Sequence, residues 1–126
     1  MTDRARRFHA IPPGEARLLE GARLFNAGEF FESHEAWESL WHEVGGPERE
    51  LLQGMIQIAA AFHHLVRGNI TGARYLYDRG RRRLLAHLPS RAGIMLVPWV
   101  SQIDERFGLV SAGHRAVTPP MLTIAP

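Results

Sequence analysis

The sequence contains no cysteine, no lysine and no long hydrophobic run. Without cysteine, a disulfide framework, a thiolate nucleophile and a sulfur-ligated metal are all excluded. No segment approaches the ~20 apolar residues that a helix needs to cross a bilayer, so the sequence predicts no membrane span. The arginines near the N-terminus are not followed by an apolar stretch and do not resemble an export signal, so we expect a cytoplasmic location.

All 15 basic residues are arginine, and charge is distributed unevenly along the chain. Residues 1–60 carry six arginines and ten acidic residues, whereas residues 61–126 carry nine arginines and three acidic residues. The first part therefore has a net charge of −4 and the second part a net charge of +6. A molecule polarised in this way can orient a binding partner.

Helical spacing of apolar residues, punctuated by glycine and proline, is the main structural signal in the sequence. With 126 residues and a hydrophobic content of 45%, the chain fits one globular domain. The sequence predicts an all-α fold, a compact bundle of four to five helices with a central antiparallel helical hairpin and no strands. The predicted helices cover approximately residues 13–28, 29–44, 47–67, 71–88 and 98–108.

The two ends of the chain are predicted to lie outside the bundle. Residues 1–12 are expected to be flexible, and residues 13–108 to form the single helical domain. Residues 109–126 contain Pro119-Pro120 and carry no charge after Arg115, which predicts an extended C-terminal arm. The arm would dock on its own domain or on a second copy of the chain, in which case it would support a homo-oligomer.

The segment Gly45–Pro47 is so short that the helices on either side should pack as an antiparallel hairpin. When the first of these helices is turned at about 100° per residue, His34 and Glu38 fall inside the apolar arc. Glu35 and His42 fall at the edge of that arc. A buried charge without a partner is expensive, so these residues should find partners on a neighbouring helix.

The second helix of the hairpin offers such partners, because Gln53, Gln57 and His64 form one narrow polar stripe in an otherwise apolar helix. Folding the hairpin at its short turn places Glu35 level with Gln57 and Glu38 close to Gln53. The sequence therefore predicts that two polar stripes face each other across the hairpin.

Three interpretations of this cluster remain open. The pattern favours a structural network in which glutamine amides donate to the glutamates and His34 bridges them. The second interpretation is a divalent metal site, because His34, Glu38 and His42 recur every four residues on one helix face, with His63 or His64 as a further ligand. The third is general acid–base chemistry by a glutamate beside a histidine, although no nucleophile, phosphate loop or cofactor motif accompanies the pair.

Three linked sequence blocks resemble a known family. They are Gly28-Glu29-Phe30-Phe31-Glu32 with His34-Glu35, Glu38 and Trp41; Gln53-Gly54-Met55-Ile56-Gln57 with Ala59-Ala60; and Gly68-Asn69 with Gly72-Ala73. Over about residues 15–107 the chain resembles the bacterial and archaeal family called domain of unknown function 309. The resemblance implies a small all-helical protein and implies no reaction, because the family has no agreed activity.

The fourth predicted helix is rich in arginine: Arg74, Arg79, Arg81, Arg82 and Arg83. These residues spread over a broad arc opposite the apolar face, so we expect a solvated helix surface. An anionic ligand, a nucleic acid or an acidic protein partner is the alternative. Tyr75 projects to the same outer side, where it could stack on a base.

The sequence thus predicts a non-enzymatic binding or interaction module, in which the polar cluster is structural or lines a small-ligand pocket. The cluster comprises His34, Glu35, Glu38, Gln53, Gln57 and His64. The main alternative is a metal-dependent, hydrolase-like enzyme that uses His34, Glu35, Glu38 and His64.

Overall fold

The structure is a computed structural model and describes residues 14–125. Five helices and one short hairpin make up this part of the chain: α1 (Gly14–Asn26), α2 (Phe30–Trp41), α3 (Gly46–Val66), α4 (Ile70–Leu85), β1 (Ser90–Arg91), β2 (Ile94–Met95) and α5 (Leu96–Ser111). The predicted all-α bundle is confirmed. None of these helices is long and apolar enough to span a membrane. The predicted flexible segment 1–12 lies outside the described residues.

Two helices end just before a glycine, as the glycine and proline punctuation of the sequence predicts. Gly28 and Gly68 adopt positive φ angles of 82° and 83°, a region that glycine enters without steric cost, so α1 and α3 end just before them. Asn69 then caps α4, because its side-chain oxygen accepts a hydrogen bond from the Gly72 amide at 3.0 Å. The block Gly68-Asn69 with Gly72 is therefore the corner between α3 and α4.

The segment before α5 forms a small antiparallel hairpin that the sequence analysis did not predict. Its strands are joined by Ala92-Gly93, whose φ angles of 55° and 82° match a two-residue hairpin turn. Each strand is only two residues long, too short for an alternating pattern to be visible. The last helix follows directly and is longer than the predicted segment 98–108, so the extended C-terminal segment begins at residue 112 rather than at residue 109.

The C-terminal segment docks on its own domain, which is one of the two modes that the sequence allowed. The Leu122 amide donates to Asn26 Oδ1 at 2.8 Å, and Asn26 Nδ2 donates to the Leu122 carbonyl at 2.9 Å. Ile124 forms an antiparallel bridge with Ile94 in the small hairpin. The segment thus ties α1 to the hairpin that precedes α5.

An aromatic core joins α1, α2, α3 and α5. The Phe25 ring centroid lies 6.1 Å from that of Trp37 and 5.3 Å from that of Trp99. The ring of Phe62 lies 5.8 Å from Phe25 and 5.3 Å from Phe107. All five side chains are buried, and burial of each ring contributes roughly 1.5–3 kcal/mol.

Two close helix contacts depend on the absence of a side chain. A Cβ atom at Gly21 would lie 2.1 Å from Trp37 Nε1, so α1 and α2 approach each other only with glycine at this position. A Cβ atom at Gly80 would lie 2.9 Å from the Gly54 carbonyl oxygen, so α3 and α4 meet backbone to backbone. Helix α3 therefore packs between α2 and α4, as expected of a helix that is apolar around most of its circumference.

Candidate functional site

The buried face of α2 is narrower than the sequence projection predicted. It consists of Phe30, Ser33, Trp37 and Leu40. His34 and Glu38 lie beside this face, where 27% of the His34 side chain and 47% of the Glu38 side chain are exposed. The prediction that both residues are buried was wrong, because the buried face does not extend to their side of the helix, where Phe31 is also 46% exposed.

His34 and Glu38 form the pair that the structure does bring together. They lie one helical turn apart, and His34 Nε2 is 3.1 Å from Glu38 Oε2. The other ring nitrogen, Nδ1, is buried and has no hydrogen-bond partner within residues 14–125. A buried polar atom without a partner costs about 1–3 kcal/mol, so His34 carries an unused hydrogen-bonding group.

A cleft of about 190 Å³ opens between α2 and α3 beside this pair. It is lined by Phe31 and His34 from α2 and by Ala60, His63 and His64 from α3. The Phe31 ring centroid lies 6.1 Å from that of His34 and 5.3 Å from that of His63. We call these five residues the imidazole cleft; its walls are aromatic rings, and the small side chain of Ala60 leaves space between them.

The histidines from α3 have different surroundings. Burial, followed by the Arg67 guanidinium and His64, lowers the pKa of His63 below its ordinary value of 6.5, against the raising effect of Glu32, so its ring is neutral near pH 7. Asn69 Nδ2 lies 3.2 Å from His64 Nδ1 and can only donate to it. A neutral His64 in this contact therefore carries its proton on Nε2.

Gln57 faces α4 instead of the cleft. Its Oε1 accepts a hydrogen bond from Arg83 Nε at 3.1 Å, and Arg83 also pairs with Glu50. The predicted contact between Gln57 and Glu35 was therefore wrong. Helix α3 packs against α2 on one side and against α4 on the other, and Gln57 lies on the side that faces α4. Glu35 remains exposed on α2.

The remaining members of the predicted cluster do not join it. Within residues 14–125, neither Glu35 nor Gln53 makes a hydrogen bond or an ion pair with another side chain. His42 is exposed at the end of α2 and makes no ion pair with Glu38 there. Across the same range, no three or more His, Asp or Glu side chains are arranged to hold a metal ion. The structure thus brings His34 and Glu38 together but does not add His42 to them.

Two arginines of α4 are bound within the fold. Arg81 donates to both carboxylate oxygens of Asp104, at 2.9 and 3.0 Å, and Arg83 pairs with Glu50. The Tyr77 hydroxyl donates to Asp104 Oδ1 at 2.6 Å. Burial and this hydrogen bond raise the pKa of Tyr77 to about 12. Sequence reasoning missed this network because Asp104 lies on another helix and no periodic pattern links the two.

The other arginines of α4 point outward. Arg74 donates to the Ser111 hydroxyl, and the Arg79 guanidinium carbon lies 4.6 Å from the Tyr75 ring centroid. Arg82 is exposed. Among the described residues, none of these three arginines forms an ion pair with a carboxylate. The predicted basic surface is therefore smaller than the five arginines first suggested.

The comparison with protein families selects the same part of the chain. A family model, described as Domain of unknown function (DUF309), matches residues 18–76. The matched residues include all five that line the imidazole cleft. A search of curated proteins finds no match to the chain.

Proposed function

Because residues 18–76 belong to the family described as Domain of unknown function (DUF309), a description that names no activity, we propose a function from the site itself. The protein is a binding module that holds a small, flat, uncharged ligand in the imidazole cleft. The observation that carries this proposal is the convergence of the exposed Phe31 ring and three imidazole rings around Ala60.

The size of the cleft limits the ligand to about one ring. Its volume of about 190 Å³ is well below the roughly 300–1,000 Å³ of pockets that enclose drug-sized molecules. It is comparable to an engineered apolar cavity of about 150 Å³ that binds benzene. Aromatic walls favour a flat ligand, because rings gain from offset or edge-to-face contact with other rings.

The charges around the cleft favour an uncharged ligand with one hydrogen-bonding group. No arginine, aspartate or glutamate lines the cleft, and the lowered pKa of His63 keeps that ring neutral, so the lining presents no permanent charge to attract an ion. His64 offers an Nε2–H donor, because its Nδ1 is occupied by Asn69. A carbonyl or amide oxygen on the ligand is the matching acceptor.

The proposal is tested by following the histidine ring signals in carbon–proton NMR spectra while benzamide is added. Benzamide is flat, neutral and of one-ring size. We expect saturable shifts of the His34, His63 and His64 signals, with His87 and His114 unchanged. Benzoate, which is charged, and cyclohexanecarboxamide, which is not flat, should cause smaller shifts at equal concentration.

Replacing either of two alanines by phenylalanine gives a test variant and its matched control. Ala60→Phe fills the cleft and should abolish the shifts, whereas Ala16→Phe adds the same side chain at an exposed position of α1 and should leave them intact. Each variant is first shown to be folded by thermal unfolding. Phe31→Ala, at an exposed ring, is a second test if Ala60→Phe does not fold. Shifts that persist in a folded cleft variant, or no saturable shift with any probe, would overturn the proposal.

A second candidate, a metal-dependent enzyme, rests on the contact between His34 and Glu38 alone, because the described residues bring no third His, Asp or Glu into a metal-holding arrangement with them. Histidine ligands of metals commonly have a carboxylate at their other nitrogen, and His34 Nε2 lies 3.1 Å from Glu38. The test is elemental analysis of protein purified without a metal-affinity tag. A stoichiometric metal that is lost in Glu38→Ala supports this candidate, and a substoichiometric metal that survives in the variant contradicts it.

A further inference from the structure

A second, chemically different surface lies on the outer side of α4. A groove of about 240 Å³ is lined by Arg79, Arg82 and Arg83. Arg82 and Arg83 lie three and four positions after Arg79, so each of these two guanidinium groups neighbours that of Arg79 and repels it. An anion placed among them would relieve this repulsion.

Only part of this charge is neutralised within the fold. Arg83 is bound by Glu50 and Gln57. Neither Arg79 nor Arg82 has a carboxylate within ion-pair distance among residues 14–125, although Asp78 lies on the same helix. Two guanidinium groups therefore remain available for a ligand at the groove.

An exposed aromatic ring lies next to the groove. Tyr75 is 57% exposed, and the Arg79 guanidinium lies 4.6 Å from its ring centroid. Tyr75, Arg79 and Arg82 are spaced as i, i+4 and i+7, which places them on one face of α4. From Tyr75 to Arg82 the helix rises about 10 Å, which is comparable to the length of a mononucleotide.

We propose that Tyr75, Arg79 and Arg82 bind a nucleotide unit, with a phosphate between the two arginines and the base stacked on the face of the tyrosine ring that Arg79 does not cover. Arginine recognises phosphate through several N–H donors, and aromatic side chains stack on any base. The nucleotide is either free or part of a single strand of RNA or DNA, and both present the same chemistry to this surface. The site is independent of the imidazole cleft and of the ligand proposed there.

The experiment measures the fluorescence anisotropy of labelled ten-nucleotide uridine and thymidine oligomers mixed with the full chain at low salt. Two phosphate contacts predict that the logarithm of the binding constant falls with the logarithm of salt concentration with a slope of about −1.4. Arg79→Gln with Arg82→Gln should weaken binding at least tenfold and flatten this slope. Tyr75→Leu should weaken binding about fivefold or more without changing the slope.

Arg23→Gln with Arg49→Gln is the charge-matched control, because both arginines are exposed and lie on other helices. This pair should change the affinity by less than about twofold. Competition by adenosine monophosphate supports a free nucleotide, and competition by unlabelled oligomer alone supports a strand. The proposal would be overturned if the oligomers did not bind, or if the control variant lost as much affinity as Arg79→Gln with Arg82→Gln. It would also be overturned if polyglutamate bound as tightly as the oligomers and Tyr75→Leu left that binding unchanged.

Discussion

The two sides of α3 use their polar residues in different ways. Towards α4, Gly54 lets the backbones meet and Gln57 accepts a hydrogen bond from Arg83. Towards α2, His63 and His64 line a cleft whose walls do not close on each other. The same helix therefore presents one tightly closed interface and one open interface.

This difference separates residues that maintain the fold from residues that are free to bind. Gln57 belongs to the predicted cluster, yet its side chain is occupied by Arg83. His63 lines the cleft, and its side chain makes no hydrogen bond or ion pair within residues 14–125. A polar group that already has a protein partner must lose it before binding a ligand, whereas an unpartnered group only gains.

The largest loss of stability is expected at the closest contact between α3 and α4. A Cβ atom in Gly80→Ala would lie 2.9 Å from the Gly54 carbonyl oxygen and 3.0 Å from Ile58. We expect a net loss of about 2–3 kcal/mol in the free energy of unfolding by urea, even after a gain of ~1 kcal/mol in helix propensity.

Gly108→Ala is the matched control for Gly80→Ala. Gly108 also lies inside a helix, but a Cβ atom there would meet nothing within 4 Å. This variant should be as stable as the original chain or up to about 1 kcal/mol more stable. If Gly80→Ala matched Gly108→Ala, the α4 side would not be closed, and the comparison would fail.

A smaller effect is expected in the network that joins α4 to α5. Tyr77→Phe removes the hydroxyl that donates to Asp104 at 2.6 Å and should cost about 1–1.5 kcal/mol in urea unfolding. Tyr75→Phe, at the exposed tyrosine, should cost less than about 0.5 kcal/mol. Because the pKa of Tyr77 is raised from the ordinary value of 10 to about 12, the tyrosine absorbance change that Tyr77→Phe removes should lie near pH 12. If the change that it removes lay near pH 10, the network would be contradicted.

The pH dependence of stability should report on a buried histidine outside the cleft. Burial, followed by the Arg91 guanidinium, lowers the pKa of His87 below its ordinary value of 6.5, and Glu48 and Glu50 oppose this shift. Below pH 6.5 the unfolded chain therefore binds more protons at His87 than the folded chain does. The free energy of unfolding is highest above this pH and declines as the pH falls below it. Between pH 7.5 and pH 5.5 the free energy of unfolding should fall less in His87→Asn than in the original chain. An equal fall in both proteins would contradict the prediction.

The sequence predicted the fold well because its signals are local. Apolar spacing gave the helices, and Gly28 and Gly68 marked two helix ends. The hairpin of α2 and α3 followed from the short turn at Gly45–Pro47. The two-residue strands were missed because no pattern is visible over so few positions. The division into domains and the cytoplasmic location stay predictions.

The candidate site was predicted only in part. The sequence selected His34, Glu38 and His64 as site residues, but Phe31 and Ala60 stood only in the blocks that resemble the family and were not predicted to line a site. Because α3 is apolar around most of its circumference, projection alone does not show which arc faces α2 and which faces α4. That rotation depends on contacts between helices distant in sequence, such as the close approach of α3 to α4.

If the polar residues between α2 and α3 are free to bind, they are not needed for folding, and one double variant tests this most directly. His34→Gln with Glu38→Gln keeps the approximate size of both side chains and removes their 3.1 Å contact. Because the His34 and Glu38 side chains are 27% and 47% exposed, water screens their contact. The free energy of unfolding by urea should therefore change by less than about 1 kcal/mol. A loss of more than about 2 kcal/mol would show that the pair belongs to a structural network and would contradict the claim.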